Sequence, residues 1–131
     1  MILEHAQLPV RPGEEAAFES AFAEAKAIIV GMPGFQRLTL SRCLERPNTY
    51  LLLVEWERLV DHTEGFRGSP QYQAWRRLLH SFYEPFPVVE HYEQVHSADE
   101  PATGGSPPPA ALVQQRSSPP ADSGIRSRSA L

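Results

Sequence analysis

Residues 62–92 read HTEGFRGSPQYQAWRRLLHSFYEPFPVVEHY, and this stretch decides the fold. Ser69-Pro70 is a helix start. Serine accepts from orphan backbone N–H groups at the N-cap, and proline at the first helical position has no N–H to lose. From there Tyr72, Trp75, Leu79 and then Phe82 or Tyr83 recur at three-to-four spacing, one apolar face of a helix. Upstream, Leu59, His62, Thr63 and Phe66 share that spacing and predict a short helix that turns His62 the same way as Phe66. Gly65 and Gly68 separate the two helices. Pro85 and Pro87 stop the second and lead into Val88–Val95, which reads as a strand. No other part of the chain is so dense in aromatic and titratable side chains, so any chemistry is expected here.

Working outward, Ile2–Val10 alternates loosely as a strand, with Ile2, Glu4, Ala6, Leu8 and Val10 on one face. Pro12-Gly13 turns the chain, and Glu14-Glu15 follow as acids in a first helical turn. Phe18, Ala21, Phe22, Ala25, Ile28 and Ile29 form an amphipathic stripe that Gly31 closes as a C′ residue. Phe35–Leu44 is a second strand, Pro47-Asn48 a turn, and Thr49–Glu57 a third strand. The order β-α-β-β-α-β is the split βαβ or ferredoxin-like arrangement. It predicts an α+β fold with a four-stranded antiparallel sheet and both helical regions on one face. The centre of the third strand, Tyr50-Leu-Leu-Leu-Val54, is apolar on both sides, so both sides should be covered. An apolar sheet face of a few hundred Å2 does not stay in water on a soluble monomer. A homodimer with two sheets face to face is therefore expected. The domain spans 1–96. Residues 97–131, rich in Pro, Ser, Ala and Gly and nearly free of aromatics, read as a disordered tail, mildly basic at Arg116, Arg126 and Arg128.

Composition removes several function classes. The chain has 131 residues and a formal charge of −4, with no run of Lys or Arg in its first hundred residues, so the electrostatic footprint for nucleic acid is missing. One cysteine, Cys43, excludes an intrachain disulfide and every Cys-rich metal motif, and suits a reducing compartment. The N-terminal MILEHAQLPV lacks a basic n-region and a long apolar h-region, and no apolar run is long enough to span a bilayer. A cytoplasmic protein without membrane contact is expected. The five histidines fit no ligand spacing such as His-Glu-x-x-His. Phosphate loops, Gly-x-Ser-x-Gly elbows and dinucleotide fingerprints are absent.

The element order, together with VRPGEEAAFESAF opening the first helix, PGF entering the second strand, VEWE closing the third and HTEGFRGSPQYQAWRRLLHSFY in the second helical region, resembles the antibiotic biosynthesis monooxygenase (ABM) family over residues 1 to about 95. The resemblance implies a dimeric α+β barrel and a pocket between the sheet and the second helical region. It also implies cofactor-independent oxidation of phenolic polyketide-like or quinol-like substrates by O2. A haem-degrading branch of the family uses a helical His as iron ligand and an Asn on the first strand. In this chain Arg76 stands near the position of that His and Ala6 at that of the Asn, which argues against haem, with His80 one turn later as the remaining histidine.

Within that implied pocket the candidate catalytic residues are His62, Arg76 and Tyr72, and the candidate substrate-binding residues are Trp75, Phe66, Glu4, Leu79 and Tyr83. His62 is either a base of ordinary pKa near 6.5 or a histidine held by the backbone, Glu4 or Glu55. Tyr72 and Trp75 wall a flat ligand or simply pack the helix on the sheet. Arg76 or Arg67 holds an anionic oxygen, or is solvated. Glu4 has a raised pKa if its strand face meets the helices. First and fourth strands should be neighbours, so Glu4 or His5 pairs with Glu90 or His91. Besides the oxygenase reading, the same fold suits a non-catalytic binder of small hydrophobic molecules or a stress-accessory dimer.

Overall fold

The structure, a computed structural model, describes residues 1–99, and the tail expected over 97–131 lies almost wholly outside the described residues. Four strands, β1 (Ile2–Pro9), β2 (Phe35–Arg42), β3 (Thr49–Trp56) and β4 (Val89–Glu93), form one antiparallel sheet in the order β2-β3-β1-β4. Helix α1 (Glu15–Ile29) follows β1, and helix α2 (Pro70–Leu79) lies between β3 and β4. This is the expected ferredoxin-like α+β arrangement. Residues Met1–Gln94 form one unit.

Period-two alternation sets the sheet's inner face. Glu4, Ala6, Leu8 and Val10 from the first strand and Tyr50, Leu52, Val54 and Trp56 from β3 are buried against the helices. Phe18, Phe22, Ala25 and Ile29 of α1 and Trp75 and Leu79 of α2 close over them. The start of α2 is as expected: Pro70 opens it, and the backbone N–H of Tyr72 donates to Ser69 Oγ at 3.2 Å. On the outer face Leu3, Leu51 and Leu53 are half-buried, in register with His5, Gln7, Thr39 and Glu55.

Two local readings change. Between β3 and α2 the chain forms a π-helical turn, Asp61–Phe66, in place of an α-helix, with Arg67 N–H donating to the His62 carbonyl at 3.1 Å. The wider turn buries both His62 and Phe66, as their spacing suggested, but leaves Leu59 43% exposed. Gly31 stands at C′ after the Val30 cap, as expected, but without a left-handed φ; the left-handed glycine in this connection is Gly34 (φ +84°), just before β2. Gly34 is required twice over: by its φ, and because a Cβ there would lie 2.2 Å from Asp61 Oδ2. Asp61, 8% exposed, accepts from the Arg58 backbone N–H at 2.9 Å and from its guanidinium at 3.0 Å, which starts the π-turn. Glu57 N–H donates to the Gly34 carbonyl at 2.8 Å, so the entry to β2 and the entry to the site share one contact.

Gly34→Ala should therefore destabilise the domain by about 2 kcal/mol or more in urea unfolding. In an Asp61→Gly background, which also removes the Asp61 Cβ 2.7 Å away, the same substitution should cost only about 1 kcal/mol, the residual backbone strain. Equal costs in both backgrounds would show that the Asp61 contact is not the constraint.

Candidate functional site

A cavity of about 300 Å3 lies between the inner sheet face and the second helical region. That volume is at the lower end of small-molecule sites. Leu8 and Leu52 rise from the sheet, and Phe66, Tyr72 and Trp75 form an aromatic wall from the π-turn and α2. His80 and Tyr83 come from the 3-10 turn His80–Phe82 and the residue after it. Phe86, Pro87 and Val89 complete the lining from the connection into β4. The rings meet edge to face: Phe66 with Tyr72 (5.3 Å, 81°) and with Trp75 (5.6 Å, 83°), a geometry that holds each in place.

The polar end of the cavity is Glu4 and His62, 5% and 3% exposed. Trp56 Nε1 donates to Glu4 Oε1 at 2.9 Å, and His62 Nε2 lies 3.4 Å from the same oxygen. The His62 ring stacks on Trp56 (5.5 Å, 21°), and its Nδ1 meets His91 Nε2 at 2.8 Å. Sheet register explains the assembly: Glu4 of β1 stands between Val54 of β3 and His91 of β4, and the π-turn lowers His62 onto that row.

Burial governs the titration of these groups. Desolvation pushes the Glu4 carboxyl up from 4.5 to about 7, against the Trp56 hydrogen bond and the Arg67 charge, which favour the carboxylate. Desolvation pushes His62 down from 6.5 to about 3, aided by the charges of Arg67 and His91. Burial also lowers His80 and His91, in each case with a nearby arginine adding to it. It raises the Tyr83 hydroxyl out of reach of neutral pH. Near neutrality His62 is thus uncharged, and any proton the pair holds rests on Glu4. The expectation of an ordinary imidazole base at position 62 is corrected on this point.

The structure gathers Glu4, His62, Phe66, Tyr72, Trp75 and Tyr83 around the cavity and leaves two expected residues outside it. Arg76 sits one position past Trp75, on the exposed side of α2, with Nη1 3.5 Å from Gln73 Oε1. Leu79 is fully buried in the core and does not reach the cavity. Arg67, weighed beside Arg76 in the sequence, is the one Arg or Lys lining it, and no hydrogen bond or ion pair engages its side chain among the described residues. Of the partners considered for His62, Glu4 is the one present, since Glu55 points to the outer face. Trp56 went unrecognised: VEWE marked a strand end, and only its alternation with Tyr50, Leu52 and Val54 placed the indole inward. Among the described residues, no three or more His, Cys, Asp or Glu side chains are arranged to hold a metal ion, and no helix is long and apolar enough to cross a membrane.

The titrations of Glu4 and His62 oppose each other. Between pH 4.5 and about 7 the folded protein holds a proton on Glu4 that the unfolded chain has released, so that contribution to stability falls as pH rises. Between about 3 and 6.5 the unfolded chain binds a proton that folded His62 does not, so that contribution grows with pH. The two offset each other from pH 4.5 to 6.5. Glu4→Gln, which mimics the protonated acid, removes one of them. Its stability relative to wild type should rise between pH 5 and pH 8 by up to about 3 kcal/mol in urea unfolding. A pH-independent difference would mean that Glu4 titrates normally.

The sequence model described as antibiotic biosynthesis monooxygenase matches residues 1–78. YczJ of Bacillus subtilis (strain 168), an uncharacterized protein, is 56% identical over 95 residues, 72% of this chain and 100% of that relative. A crystal structure from Bordetella bronchiseptica, provisionally designated an antibiotic biosynthesis monooxygenase, is 36% identical with a TM-score of 0.69. The match covers 72% of this chain and 97% of that one. SnoaB of Streptomyces nogalater, described as a cofactor-independent oxygenase, shares the fold with a TM-score of 0.64 at 24% identity, over 76% of this chain and 97% of its own. With a family match over more than half its length and a 56% identical relative spanned in full, the chain belongs to the antibiotic biosynthesis monooxygenase family.

Proposed function

We propose that the cavity is the active site of a monooxygenase that uses O2 without metal or organic cofactor on a small phenolic, polyketide-like or quinol-like aromatic. One observation carries this reading: a buried carboxyl, held by Trp56 and facing His62, sits at the end of an aromatic-walled cavity of about 300 Å3. The cofactor-independent chemistry ascribed to SnoaB is in keeping with it.

The Glu4–His62 pair takes the proton from a phenol or an activated C–H of the bound substrate. A carboxylate whose conjugate acid titrates at about 7 suits that task at neutral pH, where an isolated imidazole titrating at about 3 does not. Arg67 at the lining and the Tyr72 hydroxyl stabilise the resulting anion. The anion passes one electron to O2, the radical pair combines to a hydroperoxide, and loss of water leaves a carbonyl. One CH2 and one O2 become one C=O and one H2O, so no external reductant is needed. The aromatic wall orients the ring and excludes water. The open cavity favours this over a stress-accessory dimer whose pocket is filled by its own side chains, while a non-catalytic binder would use the same walls. The half-buried Leu3, Leu51 and Leu53 on the outer face support a homodimer through that face, and the free Cys43 suits the cytoplasm.

Metal-stripped protein offered a panel of anthrones and naphthalene diols should consume O2 above the uncatalysed rate. The kcat/KM should rise with pH through about 7 as Glu4 loses its proton. Glu4→Gln and His62→Ala should each lower kcat by about 100-fold or more. Saturable binding of the panel without O2 uptake would instead establish the binder.

A further inference from the structure

We propose that His91 is the exit of a proton relay that runs Glu4–His62–His91 and returns the site to its reactive state after each turnover. This rests on the reading of the cavity given above, and it assigns a role to a residue that lies outside the cavity lining and touches no substrate.

The observations are geometric. His62 bridges two groups through its two ring nitrogens, Nε2 at 3.4 Å from Glu4 Oε1 and Nδ1 at 2.8 Å from His91 Nε2. A neutral imidazole has one donor and one acceptor nitrogen, so a ring bonded to His91 on one side and within 3.4 Å of Glu4 on the other can pass a proton between them. Glu4 and His62 are buried, whereas His91 is only half-buried, so the row leads from the cavity toward solvent. The other partner of Glu4 Oε1 is the indole N–H of Trp56, a donor that accepts nothing, so from this oxygen a proton can pass only toward His62. The groups facing the row are Glu4 from β1, Trp56 from β3, His62 from the π-turn and Arg67 just after it. The positive charge of Arg67 acts on Glu4, His62 and His91 alike and favours expulsion of a proton from all three.

The proton balance is simple. Glu4 receives the substrate proton and passes it to His62 Nε2. His62 gives up its Nδ1 proton to His91 Nε2, and His91 releases one proton from its other nitrogen to water. The row then runs in reverse and returns one proton from water through His91, His62 and Glu4 to the peroxide anion. His62 thereby regains its Nδ1 proton, and one CH2 and one O2 still become one C=O and one H2O. His62 is charged only in passing, in keeping with its burial.

His91→Gln keeps a hydrogen-bonding side chain toward His62 but cannot relay, and His91→Leu removes the contact. In the full-length protein both should lower kcat at least tenfold with little change in KM, and added imidazole should restore part of the loss. Independently of any substrate, the His62 ring N–H, observed by NMR on 15N-histidine-labelled protein, should exchange with water at least tenfold more slowly in both variants. Unchanged exchange in whichever variant is folded overturns the relay. So does a kcat loss that imidazole leaves untouched. If wild type consumes no O2 with any substrate while exchange still slows in the variants, the relay stands and the oxygenase reading fails.

Discussion

A carboxylate placed 5% exposed in an apolar interior is the constraint around which this domain is arranged. Burying such a charge without partners costs several kcal/mol, and three features reduce that cost. Trp56 gives its only polar hydrogen to Glu4 Oε1, the carboxyl shifts toward its neutral form, and an uncharged imidazole stands beside it. Each has its own structural requirement. The indole must point inward from the end of β3, which fixes the strand's register; the imidazole must descend from the π-turn, which fixes the turn's start at Asp61. The Gly34–Asp61 contact then ties that start to the entry of β2. Local chemistry and global topology thus agree at the site, as expected of a sequence selected for one structure.

Much of the fold was legible because its signals are local. Ser69-Pro70 marked the start of α2 through capping alone, and Phe18, Phe22, Ala25 and Ile29 marked the buried face of α1 through period. Tyr50–Val54 marked β3 as apolar on both sides; its inner face is buried under the helices, and Leu51 and Leu53 on the outer face are half-buried. The neighbouring of first and fourth strands, and hence the meeting of Glu4 with His91, followed from topology. What stayed hidden depended on spacing that only tertiary packing decides. A π-turn and an α-turn share most of their apolar pattern, so the spacing that grouped Leu59 with His62 and Phe66 did not show that Leu59 stays exposed. Gly31 stands at C′ of α1 as its place in the sequence suggested, while the need for glycine at Gly34 comes from the Asp61 side chain, distant in sequence.

The site was legible in part for the same reason. His62 and Phe66 share one face of the π-turn and Tyr72 and Trp75 one face of α2, and both faces line the cavity. Arg76 lies outside the cavity lining because one residue beyond Trp75 is about 100° around the helix, enough to carry it to the exposed side. Arg67 belongs to the irregular link before α2, where no period applies, so its approach to the cavity is a matter of three dimensions. The imidazole's low affinity for protons likewise reflects an enclosure that no single segment encodes.

The π-helical turn has a consequence for how such a site diversifies. Asp61–Phe66 closes its hydrogen bonds over one more residue than an α-helix would, Arg67 N–H reaching back to the His62 carbonyl. Loss of a single residue there would restore regular α geometry and rotate whatever follows by about 100° relative to what precedes it. The group presented to Glu4 would change without any codon for the cavity itself being altered. Chain length at this one turn is therefore an evolutionary dial. Relatives with the same sheet and the same aromatic wall can exchange the residue opposite the carboxyl by insertion or deletion, and reach different reactions on an otherwise unchanged scaffold.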